Sequence, residues 1–175
     1  MIKNNNKMAS EIERKFFVKN DTFKALAEKT IYIEQGYLTT EKDCVVRVRI
    51  ADEKSFITIK IRNKYNDIIR SEWEYPIPLE EAREMMKICG LNTIHKTRYL
   101  VPVGKHIFEV DVFHSDNEGL VISEIELSAE DEPFIRPDWL GEEVTAIGSY
   151  YNFYLAQHPY KEWKNSISEF IVPLP

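Results

Sequence analysis

Residues 11–16, EIERKF, alternate without a break: Glu11, Glu13 and Lys15 fall on one parity, Ile12, Arg14 and Phe16 on the other. In a β-strand, side chains at i, i+2 and i+4 share a face. The same pattern returns along the chain. Arg47 and Arg49 oppose Val46, Val48 and Ile50, while Thr58, Lys60 and Arg62 oppose Ile57, Ile59 and Ile61. Arg70, Glu72 and Glu74 oppose Trp73 and Tyr75; Lys96 and Arg98 share a parity. Glu109 and Asp111 oppose Phe108, Val110 and Val112, and Glu124 and Glu126 oppose Ile125 and Leu127. A period of two repeated in so many segments predicts a mainly antiparallel β fold with one apolar and one charged face.

Turn segments DEKS and NKYND separate strands read over 44–52, 55–62 and 68–77, a meander of hairpins that follows a strand over 31–40. Further strands are expected in TIHKTRYLVPV, KHIFEVDVF and GLVISEIELS. A short helix is expected after Asn20 or Asp21, with Phe23, Leu26 and Ala27 at helical spacing. In LEEAREMMKICG, Leu79, Ala82, Met86 and Cys89 mark a second helix, and Gly90 suits its stop. A third is read in SYYNFYLAQHP. The Pro-bearing segment DEPFIRPDWLGEEVT reads as an irregular connection. The expected organisation is a flexible leader over 1–9, one domain over 10–163 and a tail over 164–175.

A net charge of −6 opposes general nucleic-acid binding, which needs a positive field. No apolar run is long enough for a membrane helix, and MIKNNNKMAS lacks the apolar segment of a signal peptide. Cys44 and Cys89 form no metal-binding spacing, so a reduced, cytoplasmic protein is expected. His95, His106, His114 and His158 share no spacing and read as surface or packing residues, with His95 facing opposite to Lys96.

Taken singly, each strand reads best as half-solvated, with its charges toward water. As a set they read differently. Charges occupy nearly every polar position, and acidic and basic pairs segregate onto different strands. A closed or nearly closed barrel, with helices over its apolar outside, would place the charges in its lumen. Charges held away from bulk water require neutralisation. Arg and Lys suit phosphoryl oxygens, carboxylates suit hard divalent cations, and a triphosphate held with metal answers both.

The motif Glu-x-Glu-x-Lys in EIERKF resembles the signature of the CYTH superfamily, the triphosphate tunnel metalloenzymes. QGYL, VRVR, TIK, EWEY, KTRY, EVDVF, SEIEL, WLGEEVT and YYN follow in that family's order, so the resemblance spans roughly residues 9–163. It implies an α+β, mainly antiparallel fold: an eight-stranded, tunnel-like barrel with a charged lumen and helices packed outside. By matching motif, Glu11, Glu13, Asp111, Glu124 and Glu126 would bind metal. Lys15, Arg47, Arg49, Lys60, Lys96 and Arg98 would grip the phosphate chain. Glu72 and Glu74 match the family's acidic strand, whereas Arg62, Arg70 and Glu109 fit the lumen by parity with weaker motif support. One departure stands out: Ser149 occupies a position that is commonly basic in the family.

The resemblance is best to short prokaryotic members that hydrolyse inorganic triphosphate to pyrophosphate and phosphate, as a monomer or homodimer. Two Mg²⁺ or Mn²⁺ ions are expected, one on phosphate oxygens and a second, held by Asp111, Glu124 and Glu126, beside the attacking water. Glu72 or Glu74 would accept the water's proton and Lys15 would stabilise charge near the scissile bond. Within the superfamily the rivals are a class IV adenylyl cyclase, a thiamine triphosphatase and a nucleoside triphosphatase, none with a distinct nucleoside motif here. A non-catalytic polyphosphate-binding module would keep the cations without needing every acid. A purely structural barrel would give no reason for the charges.

Overall fold

The computed structural model describes residues 12–39, 44–62 and 70–166, with Arg62, Arg70 and Ser71 described by backbone alone. The expected leader, Glu11 and the tail beyond Ser166 lie outside the described residues. Nine strands form one sheet: β1 (Ile12–Val18), β2 (Lys29–Tyr37), β3 (Cys44–Ala51), β4 (Lys54–Arg62), β5 (Arg70–Pro76), β6 (Thr93–Val103), β7 (His106–Phe113), β8 (Val121–Leu127) and β9 (Leu140–Glu143). Their order is β5-β4-β3-β2-β6-β7-β8-β1-β9, every pairing is antiparallel, and among the described residues β5 and β9 remain the two edges. The expected mainly antiparallel, tunnel-like class holds, with a ninth strand and, among the described residues, a sheet that does not close.

β9 arises from the segment read as an irregular connection. Only four residues long, it offers no alternation to read. Gly141 permits it: a Cβ there would stand 2.7 Å from the carbonyl oxygen of Phe17, so only a glycine lets the chain run against β1.

The face opposite the charges carries one core. Phe16, Phe108, Val110 and Ile125 from the strands pack with Phe23, Trp139 and Leu140. Phe23 comes from α1 (Phe23–Leu26). α2 (Leu79–Cys89) lies against β2, β3 and β4. Gly36 makes its approach possible, because a Cβ at Gly36 would fall 2.6 Å from Cys89 Sγ.

A second core lies on the charged face itself, at one end. Tyr37, Ile94, Phe113 and Ile122 have the parity of Gln35, Lys96, Asp111 and Glu124, yet they pack with Tyr150, Leu155, Ala156 and Trp163. The last three come from α3 (Asn152–Gln157) and α4 (Tyr160–Trp163). The helix expected outside the barrel over 150–157 therefore packs over one end of its charged face. The cause is local: there the polar positions of the strands become apolar, and those side chains need a cover. Among the described residues, no helix is long and apolar enough to cross a membrane.

Candidate active site

Strand register builds the site. Lys15 stands opposite Glu124, Glu13 opposite Glu126, Arg98 opposite Asp111, and Glu109 opposite Glu124. Directly opposed side chains in neighbouring strands project from the same face. Four neighbouring strands, β6, β7, β8 and β1, thus bring together acids and bases far apart in sequence, Lys15 and Glu124 being separated by 109 positions.

The result is a closed ion-pair network. Lys15 Nζ contacts Glu13 and Glu124. Lys96 Nζ donates to Asp111 Oδ2 at 2.6 Å. Arg98 forks onto Asp111, with Nε to Oδ1 at 2.7 Å and Nη2 to Oδ2 at 2.7 Å, and also reaches Glu109 and Glu124. Lys96 is 1 % exposed, Asp111 0 % and Lys15 3 %. Charges so deeply placed persist only when paired.

Protonation follows from these contacts. Burial alone would raise the Asp111 pKa, but Arg98 and Lys96 outweigh it and hold the group at about 2. Glu124 is likewise held below the usual carboxylate range, Lys15 prevailing over burial. The Lys15 ammonium is held above its ordinary value, as Glu124 and Glu13 override the opposing effect of burial. Lys96 is different: burial lowers it despite Asp111, with Arg98 adding repulsion. Lys96 and Asp111 nonetheless lie 2.6 Å apart, in direct hydrogen-bond contact. Glu109 is pushed up, chiefly by burial and against the pull of Arg98.

β3, β4 and β5 form a second, shallower group. Arg49 Nη2 reaches Glu74 at 3.0 Å, and Arg47 Nη2 donates to Thr58 Oγ1 at 3.1 Å, with Glu74 3.6 Å away. Lys60 and Glu72 pair at 2.8 Å, with side chains 39 % and 43 % exposed. Arg62 and Arg70 pair in register across β4 and β5. The Nε atoms of both Arg47 and Arg49 are buried without a protein acceptor. Burial lowers the Arg49 pKa, with Arg47 next and Arg98 also contributing, so the two groups of cations share one field.

Among the described residues, no three His, Cys, Asp or Glu side chains are grouped as ligands of one ion. The donor chemistry nevertheless fits a hard divalent cation. Glu13 and Glu126 face each other as like charges, as do Glu109 and Glu124, and all the candidate donors are oxygen. Glu11, the remaining expected ligand, lies outside the described residues.

Of the residues singled out in the sequence, Glu13, Lys15, Lys96, Arg98, Asp111 and Glu124 are brought into the deep network, with Glu126 opposite Glu13. Arg47, Arg49, Lys60, Glu72 and Glu74 lie in the shallower group. Glu109, placed by parity with little motif support, joins the deep one. The sequence reading missed Gln35, Tyr37, Thr145 and Tyr151. Gln35 Nε2 donates to Tyr37 Oη at 3.0 Å on the charged face, where burial pushes the tyrosine up to about 12. The parity of QGYL relative to VRVR carried that signal. No alternation marks Thr145 and Tyr151, which reach Lys15 from beyond β9.

Comparison with known proteins agrees with this arrangement. Residues 9–154 match the CYTH domain. An inorganic triphosphatase of Acetivibrio thermocellus is 44 % identical over 158 residues, covering 90 % of this chain and 99 % of that protein. An inorganic triphosphatase of Nitrosomonas europaea is 36 % identical over 152 residues, covering 84 % of this chain and 97 % of that one. The crystal structure of the inorganic triphosphatase NE1496 superimposes with a TM-score of 0.66 at 32 % identity, over 85 % of this chain and 95 % of that structure. Family match, relatives and fold converge, and the chain belongs to the CYTH family.

Proposed function

We propose that the protein hydrolyses inorganic triphosphate to pyrophosphate and phosphate on the charged face of its sheet, with a divalent metal. The observation that carries this reading is the pair of buried, unpartnered Nε donors of Arg47 and Arg49, which share a field with Arg98. Buried donors without acceptors are costly, and a phosphate oxygen is the acceptor that guanidinium groups fit best. The names of the two relatives support inorganic triphosphate over a nucleotide.

The binding event is an exchange of partners. Within the protein, Lys15, Lys96 and Arg98 are neutralised by Glu13, Glu124, Asp111 and Glu109. A triphosphate draws those cations onto its oxygens, together with Arg47, Arg49 and Lys60. The carboxylates left behind then need a cation of their own. Glu11, Glu13, Asp111, Glu124 and Glu126 would hold it, with Mg²⁺ or Mn²⁺ as the ion and two as the count. When bound, such an ion neutralises phosphate oxygens and makes a bound water more acidic.

Hydrolysis transfers a terminal phosphoryl group to water, leaving pyrophosphate, and the chain's part is positioning and charge stabilisation. Lys15, anchored on β1, stabilises charge on the oxygens about the scissile bond. Arg47, Arg49, Lys96 and Arg98 hold the phosphate chain in line. Glu72 or Glu74 takes the water's proton; both lie at the open edge, where a proton can pass to solvent. The two cysteines are free, in keeping with a cytoplasmic enzyme.

The test is phosphate release from inorganic triphosphate, ATP and thiamine triphosphate side by side, each with Mg²⁺ and with chelator, assaying cyclic AMP from ATP as well. Rapid turnover of inorganic triphosphate that chelator abolishes is the expected result. Cyclic AMP as the main product, or no turnover of any of them, would overturn the reading.

A further inference from the structure

Lys15 is held from two sides by residues outside the ion-pair network. Its backbone N–H donates to Thr145 Oγ1 at 3.0 Å, and its carbonyl accepts from the Val144 N–H at 2.8 Å. The Tyr151 ring lies 4.6 Å from Lys15 Nζ. The Tyr151 hydroxyl donates to the Thr145 carbonyl at 3.0 Å, and Thr145 Oγ1 in turn donates to Glu143 at 2.7 Å. Tyr151 directly follows Tyr150, which is buried in the apolar cluster over the end of the charged face. The ring is therefore tied to the packed end of the site.

We propose that Tyr151 is a positioning residue that keeps the Lys15 ammonium in place through the face of its ring while Lys15 changes ionic partners. The proposal rests on the triphosphatase reading. Glu13 and Glu124 fix the ammonium. Both belong to the acids assigned above to metal. Were Glu13 and Glu124 to hold metal, Lys15 would keep the mobile phosphate and the ring. An aromatic face attracts a cation, yet it does not compete with phosphate as an anion would, and no metal can draw it away. A leucine would fill much of the same space without that attraction, whereas a phenylalanine keeps the ring and loses only the hydrogen bond to Thr145.

The experiment compares wild type, Tyr151→Phe and Tyr151→Leu, with and without Lys15→Ala, by kcat and KM for inorganic triphosphate at saturating Mg²⁺. Tyr151→Leu is expected to lower kcat about tenfold, with KM within about twofold, since a displaced catalytic cation costs rate more than affinity. Tyr151→Phe should retain most of kcat, and Tyr151→Leu should add no further loss in the Lys15→Ala background. A wild-type kcat in Tyr151→Leu, an equal loss in Tyr151→Phe, or an undiminished loss in the Lys15→Ala background would overturn the proposal.

A substrate-free readout separates this from the reaction itself. The Lys15 Nζ proton resonance should carry a ring-current shift in wild type and Tyr151→Phe that Tyr151→Leu loses. An unchanged resonance would overturn the proposal on its own. Failure of wild type to turn over triphosphate would overturn the functional reading, and the resonance would then decide the Tyr151–Lys15 contact.

Discussion

The two halves of the charged face share one sequence pattern and differ in depth. On β6, β7, β8 and β1, Lys96 and Asp111 are sealed from solvent. On β4 and β5, Lys60 and Glu72 are more than a third exposed. The strands explain the contrast. β6, β7 and β8 each have neighbours on both sides, and their opposite faces are sealed by Phe108, Val110, Ile125 and Trp139. β5 is an edge strand, and its outward Trp73 and Tyr75 are themselves exposed. Alternation assigns a residue to a face; the neighbours decide whether that face is wet.

The largest effect expected from this contrast is in the deep half. Asp111→Asn would leave Lys96 and Arg98 buried beside a neutral group. Removing one partner of a buried pair costs about 3–5 kcal/mol, which lowers Tm by on the order of 10 °C in a chain of this size. Thermal unfolding measures it. The same residue sets an acid limb. Because its pKa is depressed on folding, the stability it contributes is present above its ordinary value of 3.8 and is lost as pH falls toward about 2. Glu109, shifted upward, acts in the opposite sense, its ionisation opposing folding. Asp111→Asn should therefore flatten the acid unfolding curve between those two pH values, and an unchanged curve would show that the deep pair does not set it.

The shallow half should barely respond. Glu72→Gln breaks a pair that solvent already screens, and exposed pairs contribute about 0–1 kcal/mol. A Tm within about 3 °C of wild type is expected, with the difference vanishing in high salt. A loss comparable to that of Asp111→Asn would erase the distinction between the halves.

Much of the charged face is legible in the sequence. Arg47, Arg49, Lys96, Arg98, Asp111 and Glu124 each sit on the parity that the alternation assigns, because a strand's period of two leaves no other choice once one residue is placed. Depth was not legible, since burial of Lys96 depends on β2 and β7 beside it and on the apolar residues at the end of its face. The packed end itself was misread for the same reason. Ile94, Phe113 and Ile122 look like errors in the charge pattern until α3 and α4 are seen to cover them. β9, Thr145 and Tyr151 lie in WLGEEVT and YYN, which carry the resemblance but no alternation, and single close approaches such as Gly141 to Phe17 leave no periodic trace.

Calorimetric titration reads the exchange of ionic partners without any turnover. A non-hydrolysable imido-bridged triphosphate is titrated into the wild-type protein in chelator and in Mg²⁺. If the cations must leave Glu13, Glu124 and Asp111 to take phosphate, metal and polyanion bind cooperatively, because each relieves the charge the other uncovers. The expected result is binding at least about tenfold tighter with Mg²⁺. Equal affinity in chelator and in Mg²⁺ would contradict it, leaving the carboxylates paired to lysine and arginine throughout.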